Sequence, residues 1–367
     1  MRPLLAILTT VIVLAAGPTL AEEKLSINYA DWDAVLKQTV MDTGKSDRKP
    51  AARIKTAPAS RLTKTNPNPT RLEANRVFFH ALGKDNKAYV TAIVDSLSTL
   101  PDDTPLAEFP QNEQLAYWLN LHNATAFSLI ANDYPQSNLK KFHEKNWHRK
   151  VLTVAGKRLS LSDIETYIVN RWQDPRVLYG FYQGTIGGPN LRREAYTAQN
   201  VWANLEDNAR EFVNSLRGIQ LWDEGARVST LYTNYASLFP DFDRNLKAHL
   251  MRYTDVRMTS LIANLSTFEP DISDWYIADL YNGHLGLTTS ANTNPARIVL
   301  ATASNPNASP QDIAAIIRKT SSSGKYPRHV QEFLTEIVER KRHLREAEVG
   351  IEELDSGRID ENSSDGK

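Results

Sequence analysis

Glu113, Asn120, His122 and Asn123 are the residues of this sequence best placed to do chemistry, because they interrupt a stretch that otherwise reads as pure interior. Over residues 111–131, Leu115, Trp118, Leu119, Leu121, Phe127 and Ile130 fall on every side of a 3.6-residue turn, which predicts a helix apolar nearly all round and therefore buried. A carboxylate, two amides and an imidazole inside such a helix need hydrogen-bond partners. Glu113 lies two helical turns before Asn120 on the same side. As a buried acid it can serve as a general acid or base; as a carboxylate near a helix N-terminus it can simply hold a loop. Asn120 and Asn123 can orient a ligand, or satisfy backbone groups of loops packed on the helix. His122 reads as a packing residue.

A second group lies further on. Arg176 offers a clamp for a carboxylate or an ion pair with Glu113 or Glu165. Thr185 and Ser162 are hydroxyls near recognisable motifs, neither with a base beside it in the linear pattern. Gly184, Gly187 and Gly188 form a glycine-rich turn that can aim backbone N–H groups at an anion or an oxyanion, although no Lys-Ser/Thr pair follows as in a phosphate loop. His143 and His148 do not share a helix face, and His143-Glu144 lacks the second histidine of a zinc-hydrolase motif. Neither a metal nor a cofactor is called for.

The elements that must position these residues are mostly helical. Helices are predicted over Asn28–Val40, Arg71–Leu82, Tyr89–Leu100, the buried stretch, Ala198–Leu216, Leu246–Arg252 and Val256–Leu265. Hairpins are predicted over Trp147–Leu159 and Ile219–Val228, a helix opened by a capping box of Ser162 with Glu165 follows the first, and Val177–Tyr182 reads as a buried strand. Ser309-Pro310 opens another helix, and Val330–Leu344 a last one, amphipathic around Phe333, Leu334 and Ile337. The fold class that follows is α+β: one helix-rich domain with a small antiparallel sheet over 71–286. An N-terminal helix and polar linker (22–70) precede it, and a helical extension (287–345) and a disordered acidic tail (346–367) follow.

Composition sets the surroundings. Met1-Arg2-Pro3, an apolar run from Leu4 to Ala16 and small residues at Thr19 and Ala21 predict a signal peptide over 1–21, hence a periplasmic or secreted protein. That run falls short of the roughly 20 apolar residues that span a bilayer, and no later segment reads as membrane-spanning. The chain has no cysteine, so no disulfide supports it. Its 43 basic and 43 acidic residues balance, which gives no electrostatic case for nucleic acid.

Four blocks, in order, resemble the family named domain of unknown function 547. They are Leu115-Ala-Tyr-Trp-Leu-Asn-Leu-His-Asn-Ala124, Gly156 to Glu165, Asp174-Pro175-Arg176 and Pro189 to Tyr196. Many relatives carry a histidine shortly after Asp-Pro-Arg and a cysteine before the proline of the glycine-rich turn, a pair that would imply a papain-like or transglutaminase-like nucleophilic site. Here Leu178 and Gly188 stand at those places. The reading that follows is a non-catalytic binding or scaffold protein that keeps a degenerate pocket around Glu113, Asn120, Asn123, Arg176 and the turn at 184–190, and takes a peptide, cell-wall or protein ligand. The alternative is a hydrolase or acyl transferase acting on peptide or cell-wall amides, with Glu113 as base and the glycine turn as oxyanion site. A third expectation, a pure interaction module, needs an exposed apolar strip on the last helix.

Overall fold

The computed structural model describes residues 25–53, 66–222, 225–285 and 326–361. The signal peptide expected over 1–21 and the helix expected from Pro310 lie outside them. Helix α3 (Gln111–Asp133) is the axis, with buried residues on every face, as its all-round apolar pattern demands. Helix α2 (Lys84–Asp103) lies against it through Val90, Ile93, Val94 and Leu97, and the Tyr117 hydroxyl donates to the Leu97 carbonyl across 2.9 Å. Helix α1 (Ala30–Thr39) sends Trp32 edge-on to Phe127 at 5.7 Å, so the N-terminal helix contributes to the same core.

Around these are packed α4 (Lys140–Asn146), α5 (Leu161–Trp172), α6 (Val201–Val213), the one-turn α7 (Leu231–Asn234), α8 (Phe242–Tyr253) and α9 (Val256–Ala263). The strands form three small sheets. Strand β1 (Val40–Met41) pairs antiparallel with β2 (Arg76–Val77), and β3 (Leu152–Val154) with β4 (Lys157–Leu159). In the third sheet β5 (Ile219–Leu221) and β6 (Ala226–Ser229) are antiparallel, and β6 pairs parallel with β7 (Phe268–Ile272). The molecule is α+β and helix-rich.

Local differences from the sequence reading have physical causes. Residues 71–82 hold no α-helix, only β2 and a 3₁₀ turn at Phe79–Ala81. The buried Arg76 guanidinium gathers the carbonyls of Arg71, Glu73 and Ala74 at 2.5–2.6 Å, which wraps the chain around it, with Ala74 at φ 66. The apolar run expected as a strand at 177–182 is mostly a 3₁₀ helix, Pro175–Gly180, started by Pro175 and by the Asp174 side chain accepting the Arg176 N–H. A short apolar run suits either geometry.

The capping box of α5 is formed by Ser160 and Asp163, each accepting the other's backbone N–H (3.1 and 2.6 Å), not by Ser162 and Glu165. That shift leaves Glu165 free to turn inward.

Helix α10 (Arg328–Glu361) runs through the stretch whose composition suggests a disordered tail. Its Phe333, Leu334 and Ile337 are buried with Met41, Phe78 and Tyr281. Arg340 reaches Glu73 at 3.2 Å and Asp47 at 3.4 Å, and Arg71 reaches Glu336 at 2.6 Å. The strip that an interaction module would expose is covered by the chain itself. Among the described residues no helix is long and apolar enough to cross a membrane.

Candidate functional site

The polar residues of α3 divide between two places. Glu113, near the helix start, is buried beneath the segment entering α1, where Oε1 accepts a long bond from the Ile27 N–H (3.4 Å). Tyr29 lies beside it; burial, with the Glu113 charge adding to it, pushes the Tyr29 phenol well up. A shallow recess of about 420 Å³ borders Glu113 together with Leu25, Asn112 and Gln199. Asn120 is buried and holds one loop, donating to the Tyr196 carbonyl (2.7 Å) and accepting the Tyr196 N–H (3.0 Å).

Asn123 and His122 belong to a different network. Asn123 Oδ1 accepts the Tyr182 N–H at 3.1 Å, which fixes that atom as an acceptor, and it lies 2.9 Å from His122 Nδ1. Nδ1 therefore carries a hydrogen. His122 Nε2 meets Glu165 Oε1 at 2.9 Å, a contact that requires one more hydrogen, carried by either atom. The same Oε1 accepts the Trp147 indole N–H at 3.0 Å. Burial and the Glu165 charge raise the Tyr235 phenol well above its ordinary value, so Tyr235 is a neutral neighbour of the carboxylate.

Glu165 opens into a cleft of about 700 Å³. One wall comes from α4 and α5: His143, Trp147, Glu165 and Asn170. Thr185 and Gly187 of the glycine-rich turn line it, and the far side is formed by residues 229–237 and 272–275, including Tyr235, Asp274 and Trp275. His143 stacks on Trp147 at 3.9 Å and donates its Nε2 hydrogen to the Gln183 carbonyl at 2.8 Å. Burial pushes its pKa down to about 4, so the ring is neutral at pH 7. Asp274 is held by the Thr70 hydroxyl at 2.5 Å and the Tyr276 N–H at 3.0 Å.

The turn is positioned by backbone approach. Gly184 sits at φ +75, and a Cβ on Gly187 would lie 2.6 Å from the Asp274 nitrogen. The N–H groups of Ile186, Gly187 and Gly188 all donate within the protein, to Tyr276, Asp274 and Thr185 carbonyls at 2.8, 2.9 and 3.2 Å. None of the three is left for an oxyanion. Buried Arg217 fixes the turn from behind, donating to the Gly188 carbonyl at 2.8 Å and to Asn190 at 3.1 Å, with Glu211 as its ion-pair partner.

Of the residues singled out from sequence, His143, His148, Ser162, Thr185 and Gly187 line the cleft and Asn123 supports it from behind. Gly184 and Gly188 shape the turn. Glu113, Asn120 and Arg176 do not line the cleft; Arg176 pairs with Asp174 (2.7 Å) and Glu206 (3.8 Å) over the Trp202 ring, not with Glu113 or Glu165. Leu178 is wholly buried in the core, away from the cleft lining.

Residues 106–213 match the model of a family described as protein of unknown function, DUF547. The match covers less than a third of the chain. No curated protein and no solved structure matches the chain. The DUF547 segment supplies His122, Asn123, His143, Trp147, Glu165 and Thr185, whereas Tyr235, Asp274, Trp275 and Arg217 lie beyond it. Trp147 and Trp275 escape sequence reading because each lies in a segment whose pattern signals only local structure, and the sequence presents His143 only as a candidate metal ligand. Glu165 was visible, but as a capping residue.

Proposed function

We propose that this chain is a binding protein whose ligand site is the cleft between α4, α5 and residues 229–237 and 272–275, and that it does not turn its ligand over. One observation carries this reading: the groups that would run a reaction there already have internal partners. Glu165 Oε1 is taken by His122 and Trp147, and His143 Nε2 by the Gln183 carbonyl. The turn's N–H groups at 186–188 are bonded internally. The Thr185 hydroxyl lines the cleft, and no His, Lys or carboxylate is hydrogen-bonded to it among the described residues; a hydroxyl without an adjacent base is a weak nucleophile. A cleft of about 700 Å³ lies within the roughly 300–1,000 Å³ range of small-molecule sites.

The N-terminal sequence adds a second element, export. The basic start, the apolar run and Ala21 support removal of the first 21 residues on passage across a membrane. N-terminal sequencing of protein recovered from outside the cytoplasm tests this; a chain beginning at Glu22 agrees with it, and one beginning at Met1 does not.

The binding reading is tested by following tryptophan fluorescence and product formation together over a panel of peptides, amides, esters and oligosaccharides. Saturable fluorescence change without product is expected. Product whose formation stops in Glu165→Gln replaces the binding reading with the hydrolytic one.

A further inference from the structure

The chemistry of the cleft walls points to a class of ligand, and the argument rests on the reading that this cleft binds. None of its described lining residues is Lys or Arg, while Glu144, Glu165 and Asp274 place carboxylates there. A phosphate, nucleotide or sugar acid would meet no countercharge and an unfavourable field. Eleven of the twenty-four lining residues are Ser, Thr, Asn or Gln. Such short neutral side chains both donate and accept hydrogen bonds. A mainly apolar ligand would strip them of water and return nothing, at roughly 1–3 kcal/mol for each group left without a partner.

A cationic ligand is also poorly served. Both oxygens of Asp274 are bonded internally, and Glu165 Oε1 is shared between His122 and Trp147, which leaves Glu144, at an exposed position, as the carboxylate without a committed oxygen among the described lining residues. What remains is a neutral molecule dense in groups that donate and accept at once. Trp275 and Tyr235 complete the case. Both rings are half-buried at the cleft, Trp275 edge-on to His143 at 5.2 Å and Tyr235 tilted on Phe181 at 5.5 Å. The electron-rich faces of such rings attract the polarised C–H face of a sugar ring.

We infer that the cleft binds a neutral oligosaccharide, stacked on Trp275 and Tyr235, with its hydroxyls exchanging hydrogen bonds with Asn170, Asn234, Thr185 and Glu165. The wall that carries both stacking rings lies outside the DUF547 segment, so the specificity assigned here belongs to this chain's own later residues.

Titration by tryptophan fluorescence and calorimetry tests the assignment with cellotriose, chitotriose, maltotriose and mannotriose, alongside trigalacturonate, glucosamine trisaccharide and end-blocked trialanine. Saturable binding of at least one neutral trisaccharide is expected, at least tenfold tighter than trigalacturonate, and weakened at least tenfold by Trp275→Ala. Asn234→Ala, at an exposed position that folding does not depend on, is expected to weaken it several-fold. If none of the four neutral sugars binds, the assignment is overturned. Should the blocked peptide or the amino sugar bind instead and be lost in Trp275→Ala, the assignment to a neutral saccharide fails and the binding reading stands. Cleavage of a bound neutral trisaccharide would do the reverse.

Discussion

His122 and Glu165 meet across 2.9 Å in the interior, joining the central helix α3 to the floor of the cleft. The carboxylate is held from two sides, because Trp147 donates to the same oxygen at 3.0 Å. A residue fixed in this way is a rigid acceptor rather than a mobile proton carrier. Truncating one partner of a buried charged contact costs about 3–5 kcal/mol, so Glu165→Ala is expected to lower stability by about that much in urea denaturation. Glu165→Gln keeps an oxygen for the indole and should cost about 1–2 kcal/mol.

Asn120 makes the contrasting case. Its two bonds to the Tyr196 backbone tie α3 to the loop before α6, and the side chain is wholly buried and absent from the cleft lining. Asn120→Ala is expected to cost about 2–3 kcal/mol, since it orphans a buried N–H and a buried carbonyl. Titration of the folded variant should give wild-type affinity at the cleft.

Acid should destabilise the fold between about pH 6.5 and pH 4. Burial depresses His80 to about 3 and His143 and His249 to about 4. The unfolded chain therefore takes up these protons first as pH falls, and their contribution is complete only above about 6.5. Asp279 opposes them. Burial raises it to about 7, despite hydrogen bonds from Phe79, Tyr281, Gly283 and Tyr134, so its contribution is lost as pH rises from about 4 to 7. Glu211, pushed up by burial against the pull of Arg217, acts in the same sense as Asp279; three histidines outweigh these two carboxylates, and each group contributes about 1.4 kcal/mol per pH unit inside its window. Urea midpoints measured across it should fall with acid. In His80→Phe, which also removes a buried Nδ1 that has no partner, the slope should drop by about one proton and stability at pH 7 should rise by about 1 kcal/mol.

Helix α10 is expected to release as a unit. Arg340→Ala removes the counterion of the buried Glu73 and the donor to the Leu72 carbonyl. Loss of about 3 kcal/mol of docking should appear as faster hydrogen exchange over 329–341 and 72–78, with α3 unchanged. Equal loss of protection in α3 would show that the helix and the core unfold together.

The sequence made the central helix legible, because an all-round apolar stretch with four polar interruptions has few other solutions. It also pointed to the network, but at the wrong end. Glu113 and Asn120 share a helix side, but it is not the side that meets the cleft network, whereas His122, two residues after Asn120 and so on the opposite side of the helix, is the residue that reaches Glu165. Glu165 was obscured because Ser-X-X-Glu is also a capping pattern, and the choice between Ser160 and Ser162 as cap depends on where β4 releases the chain. Arg76 and Arg217, buried and wrapped in carbonyls, shape loops that periodicity cannot describe. Trp275 and Tyr235 reach the site from segments far along the chain, a juxtaposition made only by tertiary packing.

The most direct test of a cleft that binds without chemistry is a single-turnover experiment. Protein in excess over each candidate ligand would be followed by tryptophan fluorescence and sampled for product by mass spectrometry, with Trp275→Ala and Glu165→Gln in parallel. A saturable signal, unchanged ligand mass after many hours and loss of the signal in Trp275→Ala are the predicted result. Stoichiometric product from the unaltered protein, absent in Glu165→Gln, would contradict the account and make Glu165 a catalytic residue.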